Sequence, residues 1–334
     1  MNRCPIQSPD RRQWLSLALA AMLACGVSLV QAQGTWPNKP IRILVGAPAG
    51  GTADLLARGV GDALSKNTGQ TVVVENKPGG LGAIVMDAFL SAPRDGYTYV
   101  VSVNSLVTEI PHTIKPKYDP HKDIKPLVKL SAGGLVLVSS SNLPPRNFAE
   151  MISYVKANPG KISYASYSPG TSSHIRGLQL NKQAGLDMQH VGYKGSPPAL
   201  QDVMGGQVQF MFDGLATSTP LIRSAKLRPY AVTSSKRAAA LPDVPTMMEL
   251  GFPDMTQMSW MGLWTTPDAP AAAQQRMREE VLKALNQPAI KERLAATGLE
   301  MPDQVSTPEE MMQSNLKDYE MAGQLLRSVN YKPE

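Results

Sequence analysis

The chain has 334 residues, and its 33 Lys and Arg against 27 Asp and Glu give a formal net charge of +6. The basic residues form no run or stripe, which argues against a nucleic-acid partner. Both cysteines lie before residue 33, and no two of the four histidines have helix-face spacing. Disulfide scaffolds, cysteine nucleophiles and zinc or iron centres are therefore excluded from the remaining chain, and no cofactor is expected.

The first 32 residues have the pattern of an export signal. Arginines precede an apolar stretch at 14–24, and small residues end at Ala32, after which we expect cleavage. That stretch is too short for a membrane-spanning helix, which needs about 20 residues. The Arg11-Arg12 pair resembles a twin-arginine signal, and the general secretory route is equally open. Lipidation at Cys25 is a less favoured alternative. We therefore expect an exported, periplasmic protein.

Strands and helices alternate in the next part of the chain. Residues 40–45, 71–74 and 97–103 are apolar runs that predict buried strands. Residues 52–66 carry apolar side chains at helical spacing, and residues 81–92 predict a helix of small residues. The order βαβαβ is typical of a parallel sheet covered by helices.

The same alternation restarts at residue 135. A capping pair, Asn147 and Glu150, predicts the start of a helix that ends near residue 158. Further helices are expected to begin near Ser172 and Ser196. Strands are predicted at 135–138, 162–165, 190–193 and 208–212. Two similar α/β units in one chain predict two lobes.

The C-terminal part reads as helical. Residues 271–297 predict one helix, or two that break at residues 287–288. A final helix is predicted with Thr307 as its N-cap, Pro308 in its first turn and Glu310 as the capping partner. Such a tail is expected to pack on one of the lobes.

Three segments share one design: a strand, a turn rich in glycine and hydroxyl residues, and a helix start. They cover residues 46–54, 166–174 and 192–198. The first amides of a helix have no intrahelical partner, and the helix dipole adds partial positive charge there. Glycines let the backbone approach a ligand closely, so such turns can bind a carboxylate without arginine. The turns therefore predict a small-anion site at the carboxyl ends of the strands.

The candidate ligand-binding residues belong mostly to these turns. Asp54 and His174 could instead stabilise their own helix starts, Lys194 could be solvated, and Asp213 could cap the next turn rather than accept a ligand amine or hydroxyl. The complete candidate set is Ala49, Gly50, Gly51, Thr52, Asp54, Asn104, Ser168, Gly170, Thr171, Ser172, Ser173, His174, Lys194 and Asp213.

Enzymatic interpretations are weaker. Ser172 or Ser173 could be drawn with His174 and Asp213 as a hydrolase triad, but neighbouring residues at a helix start diverge and no Gly-x-Ser-x-Gly elbow is present. Residues 80–82 begin a dinucleotide-like pattern that lacks its third glycine. We therefore expect a binding protein and not an enzyme, with a secreted hydrolase as the remaining alternative of another class.

Ordered motifs run through nearly the whole chain after the export signal. They are WPNKPIR (36–42), AGGTADLLAR (49–58), VENKPGG (74–80), DGYT (95–98), ANPGK (157–161), GTSSH (170–174), YKGSPPAL (193–200), GGQV (205–208) and LPDVPT (241–246). With these motifs the chain resembles the Bug-type extracytoplasmic solute receptors, the binding component of tripartite tricarboxylate transporters.

The resemblance implies a two-lobed periplasmic-binding-protein fold of type II-like topology. One lobe would comprise residues 33–136 and 258–334, and the other residues 137–257, each a mostly parallel sheet flanked by helices. The hinge would consist of crossover strands at 135–138 and 258–264. A loop at 50–54 and a turn at 170–174 would hold the ligand carboxylate through backbone amides, hydroxyls and water.

The resemblance also implies a function. A monomeric receptor would capture a dicarboxylate, an acidic amino acid or an aromatic acid by hinge closure and deliver it to membrane transporter subunits. A sensor that passes the signal to another partner is the alternative. Gly46 and Ala47 stand where the family usually has a Pro-Phe pair. The smaller Ala47 would widen the pocket, which would suit a bulkier, aromatic acid.

Overall fold

The structure is a computed structural model that describes residues 36–256, 259–296, 298–299, 305–329 and 331–332. The predicted export signal at 1–32 and Met258 of the predicted crossover strand lie outside the described residues. Within those ranges, no helix combines the length and the apolar character needed to cross a membrane.

The first sheet is built from strands at both ends of the described chain. Its strands are β1 (Ile41–Val45), β2 (Val72–Asn76), β3 (Thr98–Val103), β4 (Lys125–Gly133) and β10 (Ser259–Thr265), in the order β2-β1-β3-β10-β4. Strand β1 pairs in parallel with β2 and β3, whereas β10 is antiparallel to β3 and β4. The three strands predicted for the first βαβαβ unit are therefore confirmed.

The second sheet is formed by the middle of the chain. Its strands are β5 (Leu135–Ser140), β6 (Ser163–Ser166), β7 (Gln189–Gly192), β8 (Phe210–Gly214) and β9 (Leu227–Val232), in the order β7-β6-β8-β5-β9. Strand β6 is parallel to β7 and β8, whereas β5 is antiparallel to β8 and β9. Both sheets are thus mixed: parallel strands combined with antiparallel crossover strands.

Helices cover both sheets. They are α1 (Thr52–Thr68), α2 (Ala83–Leu90), α3 (Ser105–Thr108), α4 (Phe148–Lys156), α5 (Ser172–Ala184), α6 (Ser196–Met204), α7 (Leu215–Arg223), α8 (Ala271–Leu285), α9 (Pro288–Ala296) and α10 (Pro308–Ser328). Three single 3-10 turns lie at Gly80–Gly82, Ile110–His112 and Pro253–Met255.

Most helix starts lie where the sequence predicts them. Asn147 accepts a hydrogen bond from the Glu150 amide, and Thr307 forms a full capping box with Glu310. The chain between Ala271 and Ala296 divides into two helices at the predicted break. The helix predicted from residue 81 begins instead at Ala83, because the preceding residues 79–82 all have positive φ and cannot continue a right-handed helix.

The core of the second sheet shows why the first four residues of β5 are all apolar. In β5, Leu135 and Leu137 pack into one cluster of buried side chains, while Val136 and Val138 pack into another on the opposite face. Because side chains alternate along a strand, both faces of this sheet are covered.

The chain passes from the first sheet to the second at one residue. Strand β4 ends at Gly133 and β5 begins at Leu135, so Gly134 alone connects them. A Cβ on Gly134 would lie 2.4 Å from the backbone nitrogen of Ser234, which leaves room only for glycine. The boundary predicted at residue 136 falls inside β5.

Candidate functional site

A cavity of about 350 Å³ lies between the two sheets. Its walls come from strand ends and turns on both sides: the turns at 46–53 and 79–82 and the strand ends at 102–106, 131–135 and 259–261, facing the turns at 167–172, 193–196 and 214–215. Carboxyl ends of parallel strands are the usual place for ligands in open α/β sheets. All three predicted turns contribute to this lining.

Several helices begin at the cavity, among them α1, α5, α6 and α7. The N-cap residues of α1, α5, α6 and α7 are Gly51, Thr171, Gly195 and Gly214, and none of them makes a side-chain capping bond. Helix α6 has two prolines after Ser196, so it offers fewer amides than the others. By contrast, α4 and α10, which begin away from the cavity, are capped by their own side chains. The first-turn amides at the cavity are therefore open to an anion.

The turns of the two sheets touch each other across the cavity. A Cβ on Gly195 would lie 2.5 Å from Cδ of Pro48, and one on Gly214 would lie 2.9 Å from Oγ1 of Thr52. The Ser172 hydroxyl, on the side of the second sheet, donates a hydrogen bond of 2.7 Å to Oε2 of Glu109, on the side of the first sheet. The structure is thus a closed arrangement.

Six of the candidate residues line the cavity. They are Gly51, Thr52, Ser168, Thr171, Ser172 and Lys194. Lys194 is the one charged side chain in this lining among the described residues, and it is exposed. The hydroxyls of Thr171 and Ser172 are already donated, to the Ser168 carbonyl and to Glu109. The Thr171 amide also donates to the Ser168 carbonyl, at 3.4 Å, which leaves the Ser172 amide to face a ligand.

In the first turn, Asp54 supports the loop from behind. It is 2% exposed, and it accepts hydrogen bonds of 2.9 Å from the Gly50 amide and from Nδ2 of Asn76. Burial acts to raise its pKa, but bonds from Arg58, Gly50 and Asn76 hold that pKa below its ordinary value. Ala49 and Gly50 are exposed at the tip and lie outside the cavity lining.

In the second turn, His174 likewise supports the turn from behind the cavity lining. Its Nδ1 accepts a hydrogen bond of 2.9 Å from the Gly170 amide, so the ring is unprotonated at that nitrogen. Its ring stacks on His190 with centroids 3.8 Å apart. Burial, with a smaller contribution from His190, lowers the pKa of His174 to about 3. Ser173 is fully buried and donates to the Phe212 carbonyl. Gly170, Ser173 and His174 therefore lie behind the lining.

Asp213 and Asn104 also lie outside the lining. Asp213 is fully buried; burial raises its pKa, although hydroxyls of Ser218 and Thr217 each donate to its Oδ2 at 2.6 Å. Asn104 exchanges two bonds with Trp260: its amide donates to the Trp260 carbonyl at 2.9 Å, and its Oδ1 accepts from the Trp260 amide at 3.1 Å. Both residues hold cavity walls in place.

Sequence reasoning did not select several lining residues. Tyr167 and Ser196 lie inside two of the predicted turns, so the sequence indicated their positions although it did not select them as candidates. In the glycine-rich turn at 79–82, Gly79 and Gly80 end a resemblance motif and residues 80–82 begin an incomplete dinucleotide pattern, but none of them was selected as a ligand contact. Ser131 belongs to β4, a strand that the sequence analysis did not predict.

The arrangement suits binding better than reaction chemistry. The proposed hydrolase triad is not assembled, because Ser173 bonds to Phe212, His174 accepts from Gly170, and Asp213 accepts from its own helix start. Among the described residues, no group of three or more His, Cys, Asp or Glu could hold a metal ion. What remains is a closed pocket with open helix N-termini at its walls.

Comparison with known proteins identifies relatives over nearly the whole described chain. A family model described as "Tripartite tricarboxylate transporter family receptor" matches residues 56–329. A protein of Cupriavidus necator, described as "UPF0065 protein in gbd 5'region", is 34% identical over 296 residues, which is 87% of this chain and 90% of that protein.

Two solved structures are similar throughout. The periplasmic binding protein BugD is 30% identical, with a TM-score of 0.85 over 90% of this chain and 100% of that chain. A Rhodopseudomonas palustris protein solved with adipate is 26% identical, also with a TM-score of 0.85, over 90% of this chain and 100% of that one. These relatives are binding proteins, which confirms the predicted fold class and the prediction that the chain is not an enzyme.

Proposed function

The chain belongs to the tripartite tricarboxylate transporter receptor family, whose members include the Bug proteins, and on that premise we propose that it captures a small carboxylate between its two lobes and delivers it to a membrane transporter. The lobes correspond to the two sheets with their helices. The protein works outside the cytoplasm, after removal of the segment at 1–32, and acts as a monomer.

The observation that supports capture of an anion is the set of open helix starts. Helix α1 comes from one lobe, and α5, α6 and α7 come from the other. Each places a partial positive charge and unpaired amides at the same cavity. Backbone donors of this kind bind a carboxylate while adding no net charge to a buried site.

Closure connects capture to transport. A ligand that touches both lobes favours the closed state by the difference of its affinities for the closed and open states. The contacts of Pro48 with Gly195 and of Glu109 with Ser172 form only when the lobes meet. A closed receptor presents one continuous surface to a transporter, and an open, empty receptor does not.

The ligand class follows from the rest of the lining. Leu81, Leu106, Met261 and Leu299 provide apolar surface beside the helix starts. A relative with 26% identity was solved with adipate, a dicarboxylate with an apolar centre. Ala47 also lines the cavity, and its small side chain leaves room for a wider ligand. We infer a dicarboxylate, an acidic amino acid or an aromatic acid.

The test is calorimetric titration of the purified protein with a panel of these acids and with their amides. We expect micromolar affinity, about −8 kcal/mol, for at least one acid and none for its amide. The bound acid should be recovered unchanged. Equal affinity for an acid and its amide, or conversion of the acid, would contradict the proposal. Deleting the gene should abolish uptake of the acid; growth with normal uptake would argue against transport.

A further inference from the structure

A second cleft, of about 800 Å³, also lies between the lobes. Ala132, Ser259 and Trp260 line both this cleft and the carboxylate cavity, so the neighbouring strands β4 and β10 of the first sheet separate the two. Most of the remaining lining is contributed by α5 of one lobe and by α10 of the other, together with residues 104–109 and 254–256. We propose that this cleft is a second binding site, for a small oxyanion held by Arg176 of one lobe and by Lys129 and Trp260 of the other.

Arg176 is the central observation. Its side chain lines the cleft, and the residue is 3% exposed. One of its terminal nitrogens donates to Gln179, but Nε has no hydrogen-bond partner. Burial lowers the pKa of Arg176 to about 10, and the charge of the nearby Glu109 opposes this shift. A buried N–H group without a hydrogen-bond partner is costly, and guanidinium is the side chain best shaped to bind an oxyanion with two parallel bonds.

Two more buried donors line the same cleft. Oγ1 of Thr256 and Nε1 of Trp260 also lack a partner among the described residues. Gln179, the partner of Arg176, donates at 2.8 Å to the Asp254 carbonyl, which brings the guanidinium to the segment that carries Thr256. Lys129 lies with its Nζ 5.3 Å from the Trp260 ring. Every one of these groups donates, so they select a ligand rich in acceptors.

The cleft also holds acidic side chains. Glu109, Asp254 and Asp318 line it beside the cations Lys129, Arg176 and Lys182. Glu109 accepts the 2.7 Å bond from Ser172, and burial raises the pKa of Asp318. The preference for an oxyanion therefore rests on the buried donors without partners and not on the net charge of the lining.

The proposed site bridges the lobes, so it is linked to closure. An oxyanion that contacts both lobes is bound more tightly in one arrangement than in the other. The two binding sites would therefore be coupled. If the oxyanion changes the affinity of the first cavity for its ligand by some factor, that ligand changes the affinity of the second cleft for the oxyanion by the same factor. The second site does not depend on which acid the first cavity binds.

The experiment is thermal unfolding of the purified protein in inorganic phosphate, sulfate or acetate, with ionic strength held constant by chloride. We expect a saturable rise of the unfolding midpoint with at least one of these anions. The half-saturating concentration should rise about tenfold or more in Arg176→Met, and less in Arg176→Lys, which keeps the charge but loses the planar fork. The exposed Arg146→Met is the matched control and should behave as wild type.

Further variants separate the two cavities. Thr256→Val removes a donor but keeps Arg176, so it should weaken the anion effect even if the Arg176 variants fold poorly. Lys194→Met changes only the first cavity and should leave the effect intact. The proposal is overturned if none of the three anions gives a saturable shift. It is equally overturned if Lys194→Met removes the shift while Arg176→Met and Thr256→Val preserve it.

Discussion

At the scale of single residues, glycines decide how closely the lobes approach. Gly214 has φ −68° and ψ 143°, a backbone conformation that alanine adopts freely. A Cβ there would nevertheless lie 2.9 Å from Oγ1 of Thr52 on the opposite lobe. The residue is therefore constrained by the other lobe and not by its own backbone.

Substituting Gly214→Ala should thus impair closure without unfolding the protein. We expect ligand affinity to fall about tenfold, which is about 1.4 kcal/mol, at an unchanged unfolding midpoint of the unliganded protein. Gly59→Ala is the control, because a Cβ there meets no atom within 4 Å and alanine is favoured in a helix by about 0.5–1 kcal/mol. Wild-type affinity in Gly214→Ala would show that the lobes do not meet at this point when ligand binds.

Ser172 makes a second prediction at this scale. Its hydroxyl is used between the lobes, on Glu109, which is 3% exposed. Ser172→Ala should weaken ligand binding by about 1–3 kcal/mol, because the closed form would lose a donor to a buried carboxylate. Ser172→Thr retains the donor and is the control in the same titration. An affinity within twofold of wild type for the alanine variant would show that this bond contributes nothing to closure.

At the scale of elements, the turn before α5 is stabilised by a pair of neutral histidines. His190 contacts the Ser166 hydroxyl at 2.7 Å and stacks on His174. Burial lowers the pKa of His190 to about 4, and burial followed by the His190 charge lowers that of His174 to about 3. The ordinary pKa of histidine in an unfolded chain is about 6.5. At pH values between the folded and the unfolded pKa, the unfolded chain therefore binds more protons than the folded one.

Folding stability should therefore be complete above about pH 6.5 and fall as the pH drops from 6.5 towards 4. The slope is at most about 1.4 kcal/mol per pH unit for each histidine. Urea unfolding of the wild type and of His190→Gln between pH 7.5 and 5 measures how the free energy of unfolding depends on pH. The variant should show the shallower loss, because one titrating ring is gone and the other loses a like-charged neighbour. Parallel curves for the two proteins would contradict the assignment.

Local patterns predicted most elements of this fold. Apolar runs gave β1, β3 and β5, and the capping pairs at Asn147 and Thr307 located α4 and α10. Strand β9 was not predicted, because Pro229 lies inside it. The proline is tolerated there because β9 lies at the edge of its sheet. Strand β4, at the edge of the other sheet, carries Lys125 and Lys129 and lacks a clean alternation.

The candidate site was predictable only at the level of turns. Glycine and hydroxyl residues before a helix indicate open amides, but they do not say which amide is already used. The Gly50 amide bonds to Asp54 and the Gly170 amide to His174, each four residues ahead. The partner of Ser172 is 63 residues away in sequence. Such roles depend on tertiary contacts that a single sequence does not display.

At the scale of the whole molecule, the proposed closure would join the open helix starts into one site. The C-terminal segment takes part, because the Arg223 guanidinium of α7 donates to the Ala296 carbonyl of α9 at 3.0 Å. In solution we expect an open unliganded receptor and a measurable decrease of the radius of gyration on addition of a bound acid. X-ray scattering with and without the acid measures it. An unchanged radius would indicate a rigid pocket instead of a hinge.

The central claim is that first-turn amides from both lobes hold one anionic group, and a crystal structure of the complex with a bound acid tests it most directly. We predict carboxylate oxygens about 2.7–3.2 Å from the amides of Thr52 or Ala53 on one lobe and of Ser172 on the other. A carboxylate held by Lys194 alone, with those amides facing solvent, would contradict the account.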